Sequence, residues 1–439
     1  MKTNDPRQLY LQQTVQALQN VLARGLVGEP LQAQAEVVVG PRAGAVLLYT
    51  GLGAGRVLRY FATDHAAAAR QFIGWPFTGE PGVFMSGRAV RIEVPWPDNL
   101  ADTEVRLDRV GGSPKGQGRW KAGIDERGRV ITAGVSDHIP HWLISGTTGS
   151  GKTVSLRAAG YQFAQDADQN RIVLIDGKFG SGLGVLHGLP GMVGPVATDV
   201  PTARDALAWV NRQMQQRYEK LTNAGEQALS GLPRIVVLFD EFQELVSDPA
   251  VRELTRRMLA QGRAANIHVL MGTQHPTIDA FGDDGSLKRN LVGRIALKVT
   301  DAKASQVALG DSLPRADRLA GKGDAYVVAP GHVYRAQMVL VDQRELDPAP
   351  RCDPLLREWP ESQPQDYGQE PTVRWSYTGA ELAQGLIAAL RGWGRRNLMQ
   401  SLANAGLGRP GADRASRLLV LGREQFAALA AAGHVLSEA

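Results

Sequence analysis

Residues 146–153 read Gly146-Thr147-Thr148-Gly149-Ser150-Gly151-Lys152-Thr153, which fits the phosphate-binding pattern G-x-x-x-x-G-K-[ST]. The apolar run HWLIS at 141–145 precedes it and a helical pattern at 154–164 follows it. The motif therefore has the strand, loop and helix that it needs. Its glycines let backbone N–H groups turn toward phosphate oxygens, and the new helix points its positive end at the same charge. In that arrangement Lys152 reaches the β- and γ-phosphates and the Thr153 hydroxyl ligates Mg²⁺. ATP and Mg²⁺ are the expected ligands, with Gly146, Thr147, Thr148, Gly149, Ser150 and Gly151 forming the phosphate cradle.

Working outward, the run IVVLFDE at 235–241 is an apolar strand ending in two acids. Beside a phosphate loop, Asp240 is the expected Mg²⁺ ligand and Glu241 the general base for the attacking water. Alone, the same run is equally an ordinary strand ending in a solvated turn. The strand at 269–272 ends at Thr273-Gln274, where Gln274 either touches the γ-phosphate or lytic water or simply closes a strand. Another strand ends at Asp176 in the run IDGKFG. Sites gather at the carboxyl ends of α/β strands, so Lys178 faces nucleotide or DNA, or else is a solvated loop lysine.

These apolar runs alternate with helical segments such as 202–221, which argues for a parallel sheet with both faces covered. Before them, 36–135 reads as strands, turns and a helix at 65–72, and 9–24 as a short amphipathic helix. Residues 346–372 are rich in Pro, Gln and acids and read as linker. The chain has 439 residues, 43% of them apolar and 21% charged, with a formal net charge of +5. That size suggests two to four domains, and that charge permits a nucleic-acid partner without requiring one. A single cysteine, Cys352, excludes an internal disulfide framework and suits a reducing cytoplasm. The first twenty residues lack the apolar core of a secretory signal, and no stretch has the roughly 18 apolar residues of a membrane helix.

Taken together, the runs HIPHWLISGTTGSGKT, MQQRY (214–218), LPRIVVLFDEFQEL and AQGRAANIHVLMGTQHP resemble the motor motifs of the FtsK/SpoIIIE DNA translocases. The resemblance extends upstream to VRIEVPWP (90–97) and downstream through KRNLVGRIALKVT and LAGKGDAYVV, over about residues 36–340. It implies an α/β fold with a RecA-like P-loop core, an N-terminal α+β domain and a small C-terminal winged-helix-like domain. The implied boundaries are an arm at 1–35, a ring-stacking domain at 36–135, a motor at 136–345, a linker at 346–376 and the last domain at 377–439. It further implies a homohexameric ring pumping double-stranded DNA, with Lys152 and Thr153 on phosphate and Mg²⁺, Asp240 and Glu241 as the metal and water-activating pair, and Gln274 as a sensor. Such rings take an arginine from the neighbouring subunit. Arg294 is the first candidate and Arg263 the second, although either can instead serve an ion pair within its own subunit. Loops at about 178–187 and 280–289, carrying Lys178, Lys288 and Arg289, are candidates to line the pore.

The chain departs from the family at Gly177 in Asp-Pro-Lys, at His275 in Gln-Arg-Pro, and at Gln306 where an arginine stands. It also lacks the membrane anchor and long linker, which suggests a compact version, recruited by a protein partner if by anything. Residues 377–439 hold seven arginines against four acids. Four helical patterns there, at 380–390, 395–404, 412–421 and 424–432, place Arg414 and Arg417 on a candidate recognition helix. Docking to a protein is the competing role. Two other readings of the whole remain: a related ring ATPase (a conjugative coupling protein or HerA-like motor), or a nucleotide-gated DNA switch without turnover, against which an intact Glu241 argues.

Overall fold

The computed structural model describes residues 6–23, 32–41, 43–62, 82–96, 101, 104–224, 229, 231–274, 276, 286–312, 314–363, 379–391, 395–407, 415, 418–420 and 422. The chain divides into two compact units, Met1–Tyr367 and Gly368–Ala439.

The first unit runs α1 (Pro6–Ala23), β1 (Gln34–Val39), β2 (Ala43–Tyr49), α2 (Ala54–Ala62), β3 (Gly82–Ser86), β4 (Ala89–Pro95), β5 (Val105–Arg106), β6 (Arg119–Asp125), β7 (Val130–Gly134) and β8 (His141–Ser145). It continues with α3 (Lys152–Ala164), β9 (Asn170–Asp176), α4 (Val200–Ala224), β10 (Arg234–Asp240), α5 (Phe242–Leu245), α6 (Pro249–Gln261), β11 (Ile267–Thr273) and α7 (Ser286–Asn290). It closes with β12 (Gly293–Leu297), α8 (Ala302–Leu309), β13 (Asp324–Ala329), β14 (His332–Leu340) and α9 (Gln343–Leu346).

Strands β12, β8, β11, β10 and β9 lie side by side and parallel, in that order. Both faces of this sheet are covered, so its strands are apolar throughout rather than alternating. Strand β8 sends Trp142 and Ile144 to the face of α3, and Leu143 to the face of α4 and α6. Strand β10 does the same with Val236 and Leu238 against Ile235, Val237 and Phe239. Local chemistry sets the helix ends. Asp248 caps α6, accepting from Val251 N at 2.9 Å with Pro249 in the first turn. Asp301 caps α8 through Ala304 N at 2.9 Å, and Gly310 ends it at φ 85°.

The boundary expected at 135 falls elsewhere. The sheet continues past β12 as antiparallel β13, β14, β6 and β7, with β5 alongside β14. Strands β5–β7, expected in the N-terminal domain, therefore belong to the sheet that carries the parallel strands. Their register joins Asp125 to Ala336 and Gly123 to Met338, and Trp120 packs against Trp142 and Phe163 with ring centroids 5.3 and 5.6 Å apart. A separate four-stranded antiparallel sheet, β1-β2-β4-β3, carries α1 on one face through Leu11, Leu18 and Leu22. Helix α2 lies where strands and turns were expected, and the helix expected at 65–72 lies outside the described residues.

The segment expected as linker is packed over 349–363. Cys352 N, Leu355 N and Leu356 N donate to the carbonyls of Gly188, Met192 and Val193 at 2.8, 3.1 and 2.7 Å. Trp359 lies over Gly194, donates to Pro195 O at 2.9 Å and tilts against Trp209. Proline-rich composition removes helix and strand but leaves apolar side chains free to fill sockets. In the second unit, α10 (Gly379–Leu390) and α11 (Arg395–Asn404) bury Ala388, Leu398 and Leu402 with Leu418 and Leu419. Arg414 and Arg417 lie outside the described residues. No described helix is long and apolar enough to cross a membrane.

Candidate active site

The turn from β8 into α3 requires glycine at two points. Gly149 and Gly151 have φ 77° and 107°, where a side chain is strained. Gly146 leaves room only for Ser150, whose Oγ would lie 2.4 Å from an added Cβ. The loop is braced from outside. Thr147 N and Oγ1 donate to Lys298 O at 2.8 and 3.1 Å, and Gly323 N donates to Ser150 O at 2.7 Å. In the loop Lys152 is buried, Thr147 half-buried and Thr148 exposed.

Lys152 projects from α3 to Asp240 and Glu241 at the end of β10. Its ammonium bonds Asp240 Oδ1 and lies 2.9 Å from Glu241 Oε1. Thr153 Oγ1 donates to Asp240 Oδ2 at 2.8 Å. The side chain of Asp240 fits because Gly272, on the neighbouring strand, has no Cβ; one there would come within 2.5 Å of Oδ1. Glu241 has φ 50°, the left-handed region, and is 1% exposed. A non-glycine residue held there signals a functional constraint. Gln243 Nε2 donates to Glu241 Oε2 and its Oε1 accepts from Thr273 Oγ1 at 2.9 Å. Burial pushes the Glu241 carboxyl up, but the charge and hydrogen bond of Lys152, with Lys178 and Gln243, outweigh it and hold the group below the usual carboxylate range.

Gln274 joins the same edge: its Oε1 accepts from Thr148 Oγ1 at 3.0 Å. Lys178 also belongs here, with Nζ 2.9 Å from Glu241 Oε1; it faces the carboxylate pair. Asp176 shapes its loop, accepting from Lys178 N at 2.9 Å and from Gly182 N and Leu183 N at 2.8 Å each.

Other expected residues lie apart. Arg294, the first candidate for a trans-acting arginine, sits in β12 opposite Leu143 and turns inward. Its Nη1 donates to Val307 O and Ala308 O at 3.0 and 3.3 Å, capping the end of α8 in its own subunit. Burial lowers its pKa from the ordinary arginine value. Arg263 is exposed and shares a cavity with Asp137, His138 and Arg289 at the amino ends of the central strands, the edge away from the phosphate loop. The side chain of Lys288 and residues 277–285 lie outside the described residues.

Sequence reasoning passed over Arg157, which clamps the Lys178 loop by donating from Nε to Gly182 O and from Nη2 to Ser181 O at 3.1 Å. Burial lowers its pKa, partly offset by Asp176 and Asp240. Its place one helical turn after Thr153 was the available signal. Gln243 gave none.

Thr153 and Asp240 offer oxygen donors facing one another, and Mg²⁺ prefers a carboxylate, a hydroxyl and substrate phosphates to an all-protein cage. These residues fit that ion, which supplies charge neutralisation at the phosphates.

Phosphate loop, acidic strand end and parallel sheet together define a mixed α/β P-loop ATPase. The family model of FtsK/SpoIIIE matches residues 113–232. DNA translocase FtsK 2 of Ralstonia nicotianae (strain ATCC BAA-1114 / GMI1000) is 31% identical over 280 residues, 55% of this chain and 35% of its own length. DNA translocase SftA of Bacillus subtilis (strain 168) is 32% identical over 244 residues, 51% of this chain and 25% of that one. The chain thus spans about a quarter to a third of the length of these relatives. Among solved structures, the conjugation coupling protein TcpA of pCW3, in its monomer form with ATPγS, shares the fold. Its TM-score is 0.52 at 20% identity, covering 78% of this chain and 97% of that one. Over the residues that the family model matches, 113–232, the chain is similar to the FtsK/SpoIIIE family.

Proposed function

We propose that this chain is the motor of an ATP-driven double-stranded DNA translocase that works as a homohexameric ring in the cytoplasm. The observation that carries this is the convergence of Lys152, Thr153, Asp240, Glu241 and Gln274 on one sheet edge in a chain similar to the FtsK/SpoIIIE family. Lys152 and the loop amides bind the phosphates of ATP, and Thr153 and Asp240 hold Mg²⁺. Glu241 accepts a proton from water as the water oxygen bonds to the γ-phosphorus. The bond to the bridging oxygen breaks, and ADP leaves with that electron pair.

The RecA-like core at 136–345 extends, on this reading, to take in β5–β7. Arg294 is committed to α8 in its own subunit, so Arg263, exposed at the opposite sheet edge, becomes the better candidate to act in trans. The second unit is a winged-helix-like module in which Arg414 and Arg417 contact DNA, phosphate contacts dominating. Phosphate release and mass, measured with duplexes of increasing length, test the whole. The reading requires turnover that rises with duplex length and a hexameric mass under ATP and DNA. Turnover indifferent to DNA from a monomer contradicts it. Deleting 377–439 should weaken DNA binding and flatten its salt dependence; unchanged affinity and slope would make the module a protein-docking domain.

A further inference from the structure

The loop after β9 joins two environments that the chemistry above treats separately. Glu241 is 1% exposed, whereas the Lys178 side chain bonded to it is 44% exposed. The lysine thus reaches from the surface into the site. Glu241 Oε1 has two cations at 2.9 Å, Lys152 and Lys178. Phosphate binding calls Lys152 away, which leaves Lys178 on that oxygen.

We propose that Lys178 is a positioning residue for the catalytic base: it restrains the Glu241 carboxylate when no DNA engages the loop, and a DNA phosphate that takes the lysine frees Glu241 for the attacking water. The inference rests on reading the chain as a DNA motor.

Three observations support it. The root of the loop is fixed, since Asp176 binds the amides of Lys178, Gly182 and Leu183. Its far side is fixed too, by Arg157 on Ser181 and Gly182 and by Arg351, which donates to Val185 O at 3.2 Å and to His187 O. A loop held at both ends moves its lysine only by a change at the tip. At that tip Phe179 stands 89% exposed with φ 56°. A large apolar side chain in a strained backbone facing solvent marks a contact surface rather than core. Finally, a carboxylate held by an ammonium is not free to turn toward a water. An exposed ammonium is in turn open to exchange onto a phosphodiester.

The test is steady-state phosphate release by the full chain, with and without duplex DNA, over ATP concentrations up to saturation. Lys178→Ala is expected to raise DNA-free kcat roughly two- to fivefold, the effect of losing one half-exposed ion pair. KM for ATP should hold and stimulation by DNA should shrink. Lys178→Arg should keep the wild-type ratio. A DNA-free rate at or below wild type, with full stimulation retained, overturns the proposal. A wild-type rate unmoved by DNA overturns the DNA reading and with it the coupling. That failure is told apart from a wrong assignment of Lys178 by the K178A rate without DNA, which then still exceeds wild type.

Discussion

The charge cluster under the phosphate loop and the one between the two sheets are both buried, yet they are provisioned differently. Between the sheets, Arg335 gives Nε and Nη2 to Asp324 at 3.0 and 2.7 Å and Nη1 to Glu93 at 2.8 Å. Tyr326 donates to Glu93, whose other oxygen takes Arg91 Nε at 2.9 Å. Arg91 goes on to Glu126 at 3.0 Å. Each carboxylate oxygen of Asp324 and Glu93 has a fixed donor. Burial lowers the Arg335 pKa, but Asp324 and Glu93 together carry it well above the ordinary arginine value. Under the phosphate loop, Lys152 is divided between Asp240 and Glu241, and the half-exposed Lys178 joins it on Glu241. Ser150 Oγ is buried without a hydrogen-bond partner, and Glu241 is backbone-strained. The first arrangement gives every oxygen of Asp324 and Glu93 a donor and clamps the four-stranded sheet to the larger one. The second has spare capacity, which an anionic ligand fills.

Substitutions separate the two clusters, beginning with the largest expected effect. Lys152→Ala should abolish tight ATP binding, because nothing else supplies its charge to the β- and γ-phosphates. Its folding stability should also fall, because buried Asp240 loses its cation, but by less than for Arg335→Met, since Lys178 still pairs Glu241. Equilibrium nucleotide binding and urea unfolding measure both, and a large loss of stability would make the two clusters alike. Arg335→Met should do the reverse. It strands Asp324 as a buried charge and leaves Glu93 with Arg91 alone, at a cost of about 3–5 kcal/mol, seen as a lower urea midpoint. What stays folded should bind ATP. Arg294→Ala should cost about 1–2 kcal/mol, the worth of capping the end of α8. Its turnover should fall no further than that destabilisation explains. A deep loss of turnover at unchanged stability, rescued by mixing with Lys152→Ala, would return Arg294 to a role in trans.

What could be read from the sequence follows from how far each feature reaches along the chain. The phosphate loop spans eight consecutive residues and depends on local backbone freedom, so its pattern states its structure. The four apolar runs became β8, β9, β10 and β11 because continuous apolarity is itself the mark of a strand buried on both faces. By contrast, β6 pairs with β14, joining Asp125 to Ala336, and nothing within 119–134 names that partner. The inward turn of Arg294 depends on carbonyls at Val307 and Ala308 that only the folded α8 presents. The socket for Trp359 is made by Gly194 and Trp209, distant residues that composition cannot reveal. Lys178 was legible as a residue at the carboxyl edge of the sheet, and its partner Glu241 as an acid closing β10. Their contact was not, because β9 and β10 are neighbours in space only.

The central claim is that Glu241 is the base of an ATP-hydrolysing site, and Glu241→Gln tests it most directly. An amide preserves size and hydrogen bonding but cannot accept the proton of water. ATP binding by the purified variant should match wild type, while single-turnover phosphate release should fall by about 10²–10⁴-fold. Release at close to the wild-type rate from a variant that still binds ATP would contradict the account.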